Sequence, residues 1–331
     1  MRNILNSITI GDPEGVGLEL IFKIWIKYKN STGLFFIIGD IDYINRKIKK
    51  LNFKIKTKSI NDIDGVKLFF DKFLPVLNIK SSSMDSNTLD ALNISYKLAT
   101  KKLISGIVTL PLNKERIKLI SNKFVDQTNF FMKKSKKDTN MILYSKKIIT
   151  SPITNHIALK NVSKNLTKTK LIKKINEIIE CLQQDFKIKK PTIGVSGLNP
   201  HSGENGNFGK EEINIIRPAI SYFQRKKINI HGPIPPDSIF IRKNINKYDC
   251  IITMYHDQSL IPFKIIDFHG GVNFTSCNTV IRTSPCHGTA YDIVGKKIAN
   301  EESLLNAIKL ANKIYKNRYN NEKIIRSKFF N

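Results

Sequence analysis

Residues 249–258 read Asp-Cys-Ile-Ile-Thr-Met-Tyr-His-Asp-Gln, and this stretch indicates how the chain is built. The apolar run from Cys250 to Met254 is rich in β-branched residues, which is typical of a buried strand. It ends abruptly in polar side chains, where the tip of a strand would present them to a ligand. Ligands of open α/β sheets bind outside the carboxyl ends of the strands. The stretch therefore predicts a buried strand that delivers His256 to a binding site.

The same order of strand, loop and helix recurs along the 331 residues. Apolar runs predict strands at 7–10, 34–38, 105–110 and 192–196, and a two-strand meander at 139–143 and 147–150. Apolar residues at helical spacing predict helices at 18–27, 89–103, 164–186 and 304–315. This alternation predicts an α/β protein with a mainly parallel sheet, and the length suggests two domains.

The composition is that of a globular protein, with 41% hydrophobic and 25% charged residues. No run approaches 18 consecutive apolar residues and no secretory signal pattern opens the chain. We therefore expect a cytoplasmic protein that does not associate with a membrane. The four cysteines Cys181, Cys250, Cys277 and Cys286 show no CxxC spacing, which favours free thiols in a reducing compartment.

The formal net charge of +28 raises the hypothesis of nucleic-acid binding. However, the lysines are dispersed and accompany many isoleucines and asparagines, so AT-rich codon usage would give the same charge. The sequence has no interleaved aromatic stripe and no zinc-finger spacing. Nucleic acid is therefore an unexpected partner. A noncatalytic basic nucleic-acid-binding protein remains an alternative, and steep salt dependence would identify it.

The glycine-rich stretch at residues 11–17, GDPEGVG, follows a predicted strand and opens a predicted helix. A helix start of this kind can face an anion. Its glycines are spaced GxxxGxG and not GxGxxG, so the dinucleotide fingerprint is absent. The residues that would bind a dinucleotide stay unassigned.

Several blocks of sequence, in order, resemble the 4-hydroxythreonine-4-phosphate dehydrogenase family of vitamin B6 biosynthesis. The blocks are GDPEGVG at 11–17, TLPLNKE at 109–115, GLNPHSGENGNFG at 197–209, GPIPPDSIF at 232–240, MYHDQ at 254–258, GVN at 271–273, IRTS at 281–284 and HGTA at 287–290. The resemblance covers nearly the whole chain, and eight blocks in the right order are far more specific than any one alone.

The resemblance implies two α/β/α domains around a cleft, as in isocitrate and isopropylmalate dehydrogenases. We place a discontinuous first domain at 1–125 and 290–331, and a second at 126–289 that carries most metal and substrate ligands. It also implies a homodimer with the active site at the subunit interface.

The implied reaction is the metal-dependent oxidation of 4-phosphohydroxy-L-threonine by NAD or NADP. Decarboxylation to 3-amino-2-oxopropyl phosphate follows. The substrate partner would thus be a small phosphorylated hydroxy amino acid. The implied metal is a divalent ion, Zn, Mg or Co, which would lower the pKa of the substrate hydroxyl.

The resemblance also assigns site residues. Three histidines match the metal ligands of the family: His156, His201 and His256. Three imidazoles with coordination positions left open are typical of a catalytic metal site. Five residues match its substrate-binding positions: Gln127, Thr128, Lys264, Asn273 and Arg282. Among these, arginine offers a bidentate fork to a carboxylate or phosphate, and lysine a compact point charge.

The block at residues 126–129 departs from the family pattern. Where relatives have Gly-His-Thr-Glu, residues 126–129 read Asp-Gln-Thr-Asn, so only Thr128 is kept. Glutamine can donate a hydrogen bond but cannot carry a charge or transfer a proton near neutral pH. This change keeps open a second substrate class, a four-carbon sugar-acid phosphate such as threonate or erythronate 4-phosphate.

Overall fold

The structure, a computed structural model, describes residues 4–135, 139–276 and 279–328, and it confirms the α/β class. The strands are β1 Leu5–Thr9, β2 Leu34–Gly39, β3 Thr57–Ile60, β4 Leu74–Asn78, β5 Gly106–Thr109, β6 Met141–Tyr144, β7 Ile149–Thr154, β8 Ile193–Ser196, β9 Ile230–Ile234, β10 Cys250–Tyr255, β11 Val272–Thr275 and β12 Arg282–Pro285.

The helices alternate with these strands along the chain. They are α1 Gly17–Thr32, α2 Ile41–Lys50, α3 Asp64–Phe69, α4 Met84–Thr100, α5 Lys114–Ile120, α6 Gln127–Ser135, α7 Val162–Asn165, α8 Lys168–Asp185, α9 Arg217–Arg225, α10 Pro236–Ile239, α11 Arg242–Ile245, α12 His256–Ile266 and α13 Glu302–Lys328. None of the helices in the described ranges is long and apolar enough to cross a bilayer.

The residues divide into two compact units, Met1–Asp138 with Asn278–Asn331 and Thr139–Cys277. The sequence prediction put the boundaries at 125/126 and 289/290, so α6 and β12 lie in the first unit and not in the second. Contacts within the first unit explain the difference. Arg282 on β12 donates to Thr109 on β5, and Phe131 on α6 packs 6.1 Å from the ring of Tyr96 on α4.

The sheet of the first unit has the strand order β3-β4-β2-β1-β5-β12, and these neighbours pair in parallel. Consecutive side chains of β1 contact different helices. Asn6 donates to Asn312 on α13, and Ser7 bonds to Ser95 on α4. Because consecutive strand residues point to opposite faces, α13 and α4 cover opposite faces of this sheet. The first unit is therefore a three-layer α/β/α arrangement.

The sheet of the second unit has the strand order β11-β6-β7-β10-β8-β9. The predicted meander is confirmed, because β6 pairs with β7 in antiparallel orientation. In contrast, β7, β10, β8 and β9 are successive parallel neighbours. The carboxyl ends of β7, β10 and β8 therefore lie side by side, at the same end of the parallel strands. Each of these ends is followed by one of the histidines predicted as metal ligands.

The polar stretch after β10 is helical and not an open loop. Tyr255 is extended, with φ −146° and ψ 166°, and His256 begins α12. Three residues predicted as free thiols, Cys181, Cys250 and Cys286, take part in no disulfide among the described residues. The fourth, Cys277, lies outside the described residues.

An aromatic cluster forms part of the core of the first unit. The rings of Trp25, Phe35 and Phe70 pack edge to face, with centroids 5.0 to 5.9 Å apart. Phe35, on β2, is 0% exposed and contacts both other rings. Edge-to-face aromatic pairs stabilise a core beyond the area that they bury.

We predict that Phe35→Ala lowers the free energy of unfolding by about 3–5 kcal/mol, because it leaves a cavity between two aromatic rings. Denaturant titration followed by circular dichroism measures the change. Leu68→Ala is the control, since Leu68 is 75% exposed and its truncation should change the free energy by less than about 0.5 kcal/mol. Equal effects of the two substitutions would contradict the prediction.

Candidate active site

Two of the predicted metal ligands lie side by side at the carboxyl edge of the second unit's sheet. His156 follows β7 by two residues, and His256 follows β10 directly. Their ring centroids are 5.4 Å apart. The parallel pairing of β7 with β10 brings them together, since it sets the ends of the two strands next to each other.

His201 lies in a loop of unusual backbone conformation after β8. Residues 201–205 all have positive φ, between 40° and 79°, and only Gly203 among them is a glycine. Such left-handed residues are each unfavourable for a side chain with a Cβ, by about 1–2 kcal/mol. A run of them persists only where the surrounding structure fixes it.

Glu212 fixes the start of this loop. Its carboxylate is 1% exposed, and one oxygen accepts from the backbone N–H groups of Leu198 and Asn199, each at 2.8 Å. The other oxygen accepts from the Asn199 side-chain amide at 2.9 Å. Hydrogen bonds to a buried charged group are worth more than those between neutral groups. Glu212 therefore stabilises the conformation that presents His201.

The histidines fit a metal ion in part. His256 Nδ1 lies 2.9 Å from Asp257 Oδ1, a contact that fixes the ring and leaves Nε2 for a ligand. His156 and His256 are close enough to be two imidazole ligands of one ion. Among residues 4–135, 139–276 and 279–328, no group of three or more His, Cys, Asp or Glu side chains could hold a metal. His201 is therefore not joined to the other two in this chain.

Two predicted substrate residues also lie in the second unit. Lys264 is exposed in the last turn of α12, about 12 Å along the helix axis from His256. Asn273, on β11, has a buried side-chain oxygen without a hydrogen-bond partner among the described residues. A buried acceptor left unpaired is costly, so Asn273 Oδ1 is a position that a ligand's donor could satisfy.

The other three predicted substrate residues form one cluster in the first unit. Arg282, 2% exposed at the start of β12, donates from Nη2 to Gln127 Oε1 at 2.7 Å and from Nη1 to Thr128 Oγ1 at 3.2 Å. Its Nε and Nη2 also donate to Thr109 Oγ1, at 3.0 and 2.8 Å. The guanidinium is thus held in place by side-chain oxygens of Thr109 at the end of β5 and of Gln127 and Thr128 at the start of α6.

Both polar atoms of the Gln127 side-chain amide make hydrogen bonds. While Oε1 accepts from Arg282, Nε2 donates to the carbonyl oxygen of Leu110 at 2.8 Å. A glutamine supplies an acceptor and a donor at any pH, whereas a protonated imidazole in this place would repel the guanidinium. The departure from the family's histidine is therefore structurally accommodated beside Arg282.

Burial lowers the pKa of Arg282 to about 10, although Asp126 and Cys286 act in the opposite direction. This pKa still leaves the guanidinium charged at neutral pH. Asp126 accepts from the backbone N–H of Asn129 at 2.8 Å and so caps α6. The Phe131 ring lies 5.8 Å from the guanidinium carbon. The cluster is a fixed, partly desolvated cation at a helix N-terminus, an arrangement suited to an anionic group.

A network of side chains joins three loops of the first unit, and it was not among the predicted sites. Tyr291 donates its hydroxyl to Asp12 Oδ2 at 2.6 Å and accepts from Asn113 Nδ2 at 3.1 Å. Arg116 lies 3.5 Å from the other Asp12 oxygen. These residues follow β1, β5 and β12 and fall in or beside the GDPEGVG, TLPLNKE and HGTA blocks. The position of these residues in or beside the blocks shared with the family was the signal from which the network could have been predicted.

His287 was also missed as a candidate. Its Nδ1 contacts the carbonyl oxygen of Gly288 at 2.9 Å, and its Nε2 is buried without a hydrogen-bond partner among the described residues. Burial lowers the pKa of His287, against the effect of the Gly288 carbonyl. The ring therefore favours the neutral form and leaves one nitrogen open to a ligand.

The chain matches a protein family over most of its length. The model of the family described as pyridoxal phosphate biosynthetic protein PdxA matches residues 32–311. The 4-hydroxythreonine-4-phosphate dehydrogenase of Aquifex aeolicus (strain VF5) is 39% identical over 311 residues, which cover 92% of this chain and 96% of that protein. The protein of the same name from Sulfurihydrogenibium sp. (strain YO3AOP1) is 36% identical over 313 residues, with the same coverage.

A solved structure agrees with these sequence matches. The crystal structure of 4-hydroxythreonine-4-phosphate dehydrogenase from Klebsiella pneumoniae superposes with a TM-score of 0.81 at 29% identity, covering 95% of this chain and 98% of that one. Agreement over nearly the full length of both chains shows a shared fold and not merely a shared motif.

We predict that acidification destabilises the wild type more than a His287→Gln variant. Because its pKa is lowered on folding, His287 binds a proton more readily in the unfolded chain. Its stabilising contribution is complete above the unfolded pKa of about 6.5 and is lost as the pH falls from that value through the lower folded pKa. Thermal unfolding at about pH 7.5 and about pH 5.5 measures the difference.

The control is His231→Gln, because the side chain of His231 is exposed. The melting temperature of this variant should fall between the two pH values by as much as that of the wild type. A His287→Gln variant with the same loss would show that His287 is not buried in its neutral form.

Proposed function

Because the chain belongs to the PdxA family of pyridoxal phosphate biosynthetic proteins, we propose that it is a 4-hydroxythreonine-4-phosphate dehydrogenase. In this reaction 4-phosphohydroxy-L-threonine is oxidised at its secondary hydroxyl, with NAD or NADP as the hydride acceptor. The product then loses carbon dioxide to give 3-amino-2-oxopropyl phosphate, in the biosynthesis of vitamin B6.

The observation that carries this proposal is the cluster of Arg282 with Gln127 and Thr128. The proposed substrate carries a carboxylate and a phosphate, and both need fixed cations. Hydrogen bonds to Gln127 and Thr128 fix the position of the guanidinium, and a helix N-terminus beside it adds positive potential. We assign Arg282 to one anionic group of the substrate and Lys264 to the other.

The proposed reaction consists of a hydride transfer followed by a decarboxylation. A hydride leaves the carbon that bears the secondary hydroxyl, the hydroxyl loses its proton, and the nicotinamide is reduced. The resulting β-keto acid breaks its bond to the carboxylate, carbon dioxide departs, and a proton replaces it on carbon. A bound divalent ion, Zn, Mg or Co, would supply Lewis acidity for both stages, and the nicotinamide supplies the hydride acceptor.

In this proposal the chain's own residues bind and orient. His156 and His256 supply two imidazoles to the divalent ion, and Asp257 fixes the ring of His256. His201 supplies a third imidazole across a homodimer interface, a role that suits its separation from the other two within one chain. Asn273 accepts from a donor of the substrate through its unpaired oxygen.

The surface of α12 supports the proposed homodimer. Ile261, Ile265 and Phe268, in and just after this helix, are 60%, 81% and 64% exposed. Large apolar side chains grouped on a surface are typical of sites of protein association. The same helix begins with His256, so a second copy of the chain packed on it would lie next to the histidines.

We predict that purified protein with added divalent metal reduces NAD in the presence of 4-phosphohydroxy-L-threonine. The His256→Ala variant should not do so, because it lacks one imidazole of the pair. Arg282→Lys should lower kcat/KM by about 10- to 150-fold, since lysine cannot reproduce the hydrogen bonds of the guanidinium fork. NADH formation, followed by absorbance, measures all three.

Arg225→Lys is the matched control, because Arg225 is exposed at the end of α9 and should leave kcat/KM unchanged. Faster turnover of threonate 4-phosphate would replace the proposed substrate with the sugar-acid phosphate. Turnover without a divalent ion, or full activity of His256→Ala, would contradict the metal site.

We predict that Ile265→Asp converts a dimer into a monomer and lowers the activity, because the substitution places a charge in an apolar contact. Light scattering after size-exclusion chromatography measures the mass. Leu68→Asp, at an equally exposed leucine of the first unit, is expected to leave both mass and activity unchanged. A dimer that survives Ile265→Asp would exclude the α12 surface as the interface.

A further inference from the structure

Gln258 makes two buried hydrogen bonds in the first turn of α12. The side chain is 9% exposed, Oε1 accepts from the backbone N–H of Met254 at 2.7 Å, and Nε2 donates to the carbonyl oxygen of Gly197 at 2.9 Å. Met254 lies two residues before His256, and Gly197 opens the loop that carries His201. One amide group thus ties the end of β10 to the segment that follows β8.

A further hydrogen bond connects β10 to β7, the third strand that is followed by a predicted metal ligand. Thr154, the last residue of β7, donates its hydroxyl to the carbonyl oxygen of Met254 at 2.7 Å. It is 3% exposed and lies two residues before His156. Thr154, Met254, Gln258 and Gly197 therefore form one buried chain of contacts across the three segments that carry the histidines.

The geometry requires a glutamine at position 258. The partner on β10 is an N–H donor and the partner after β8 is a carbonyl acceptor, so the bridging side chain must accept at one atom and donate at another. Near neutral pH, among side chains of this length, an uncharged amide supplies both roles, whereas a carboxylate can only accept. The Gly197 carbonyl also accepts from the Ser196 hydroxyl at 2.9 Å, so losing Gln258 removes one of its two donors and the buried bond to Met254. Losing a buried hydrogen bond costs more than an exposed one contributes.

We propose that Gln258 is a positioning residue that fixes the His201 loop relative to the segment of His256. Its hydrogen bonds reach backbone atoms of Gly197 and Met254, so it acts through the backbone of these two segments. The inference rests on the proposed function, in which His256 binds one divalent ion and His201 of the same chain binds the ion of the other site of the dimer. Gln258 sets where the two segments stand before either ion binds.

The test is Gln258→Glu. The carboxylate still accepts from Met254 N, but it places a second oxygen against the Gly197 carbonyl and so breaks one bond of the two. In metal-free protein, we expect about tenfold faster hydrogen exchange at the amides of Leu198 and Asn199, measured by mass spectrometry. We expect Co²⁺ binding, measured by calorimetry, to weaken by about tenfold, and kcat to fall more than KM changes.

Gln224→Glu is the matched control. Gln224 Nε2 also donates to a backbone carbonyl, that of Ile230 at 3.1 Å, and its partner belongs to β9 and not to a histidine segment. This variant should stay within about twofold of the wild type in exchange and in Co²⁺ affinity. If Gln258→Glu does not fold, Gln258→Met, which has similar length and no strong hydrogen bond, takes its place.

Exchange and Co²⁺ affinity within about twofold of the wild type for the Gln258 variant would overturn the inference. A wild type that binds no Co²⁺ would overturn the metal site of the proposed function instead. The exchange comparison at Leu198 and Asn199, which needs no metal and no substrate, would then decide the role of Gln258 by itself.

Discussion

Two parallel strands can be neighbours only if the chain crosses back over the sheet between them, and this constraint governs the second unit. The crossovers between β7, β8 and β10 include α8 and α9, and the segments that follow the three strands all begin at the same carboxyl end of the sheet. The residues that begin these segments are therefore brought near one another. Residues far apart in sequence, such as His156 and His256, become adjacent because their strands pair in register.

The two units use charge in different ways. In the second unit, a buried carboxylate, Glu212, organises backbone N–H groups and stabilises a loop. In the first unit a buried guanidinium, Arg282, is organised by hydroxyl and amide oxygens around it. The desolvation cost of each ion is offset by several short hydrogen bonds, as it must be in a medium of low polarity. Hydrogen bonds of this kind fix the position of the charged side chain, so that position is set before a ligand binds.

Much of the fold could be predicted from the sequence because its signals are local. Apolar runs and helical spacing identified β2, β10 and α8 to within a few residues. The grouping of Gln127 and Thr128 with Arg282 was expected from the resemblance, but spacing alone could not predict it. Thr128 and Arg282 lie 154 positions apart in the sequence, and no periodic signal in that interval would pair them.

The difference between the expected domain boundaries and the bounds of the two compact units has the same origin. Sequence patterns report which residues form a strand or helix, and not which sheet a strand joins. That β12 pairs with β5 depends on long-range contacts such as Arg282 with Thr109. Likewise, Gln258 stands in the MYHDQ block, but no pattern indicated its bridging role, since a glutamine that bridges two backbone groups looks in sequence like any surface glutamine.

The left-handed run at residues 201–205 restricts which mutations the chain can accumulate. β-branched side chains are the least tolerated in this conformation, because their two γ atoms crowd the backbone. The chain uses isoleucine freely, yet residues 200–209 contain none, and they are made of glycine, asparagine and other residues without a branched Cβ. Backbone stereochemistry thus restricts isoleucine, a residue that is common elsewhere in the chain, in this loop. Asparagine, which tolerates positive φ, occurs in the left-handed run at Asn205.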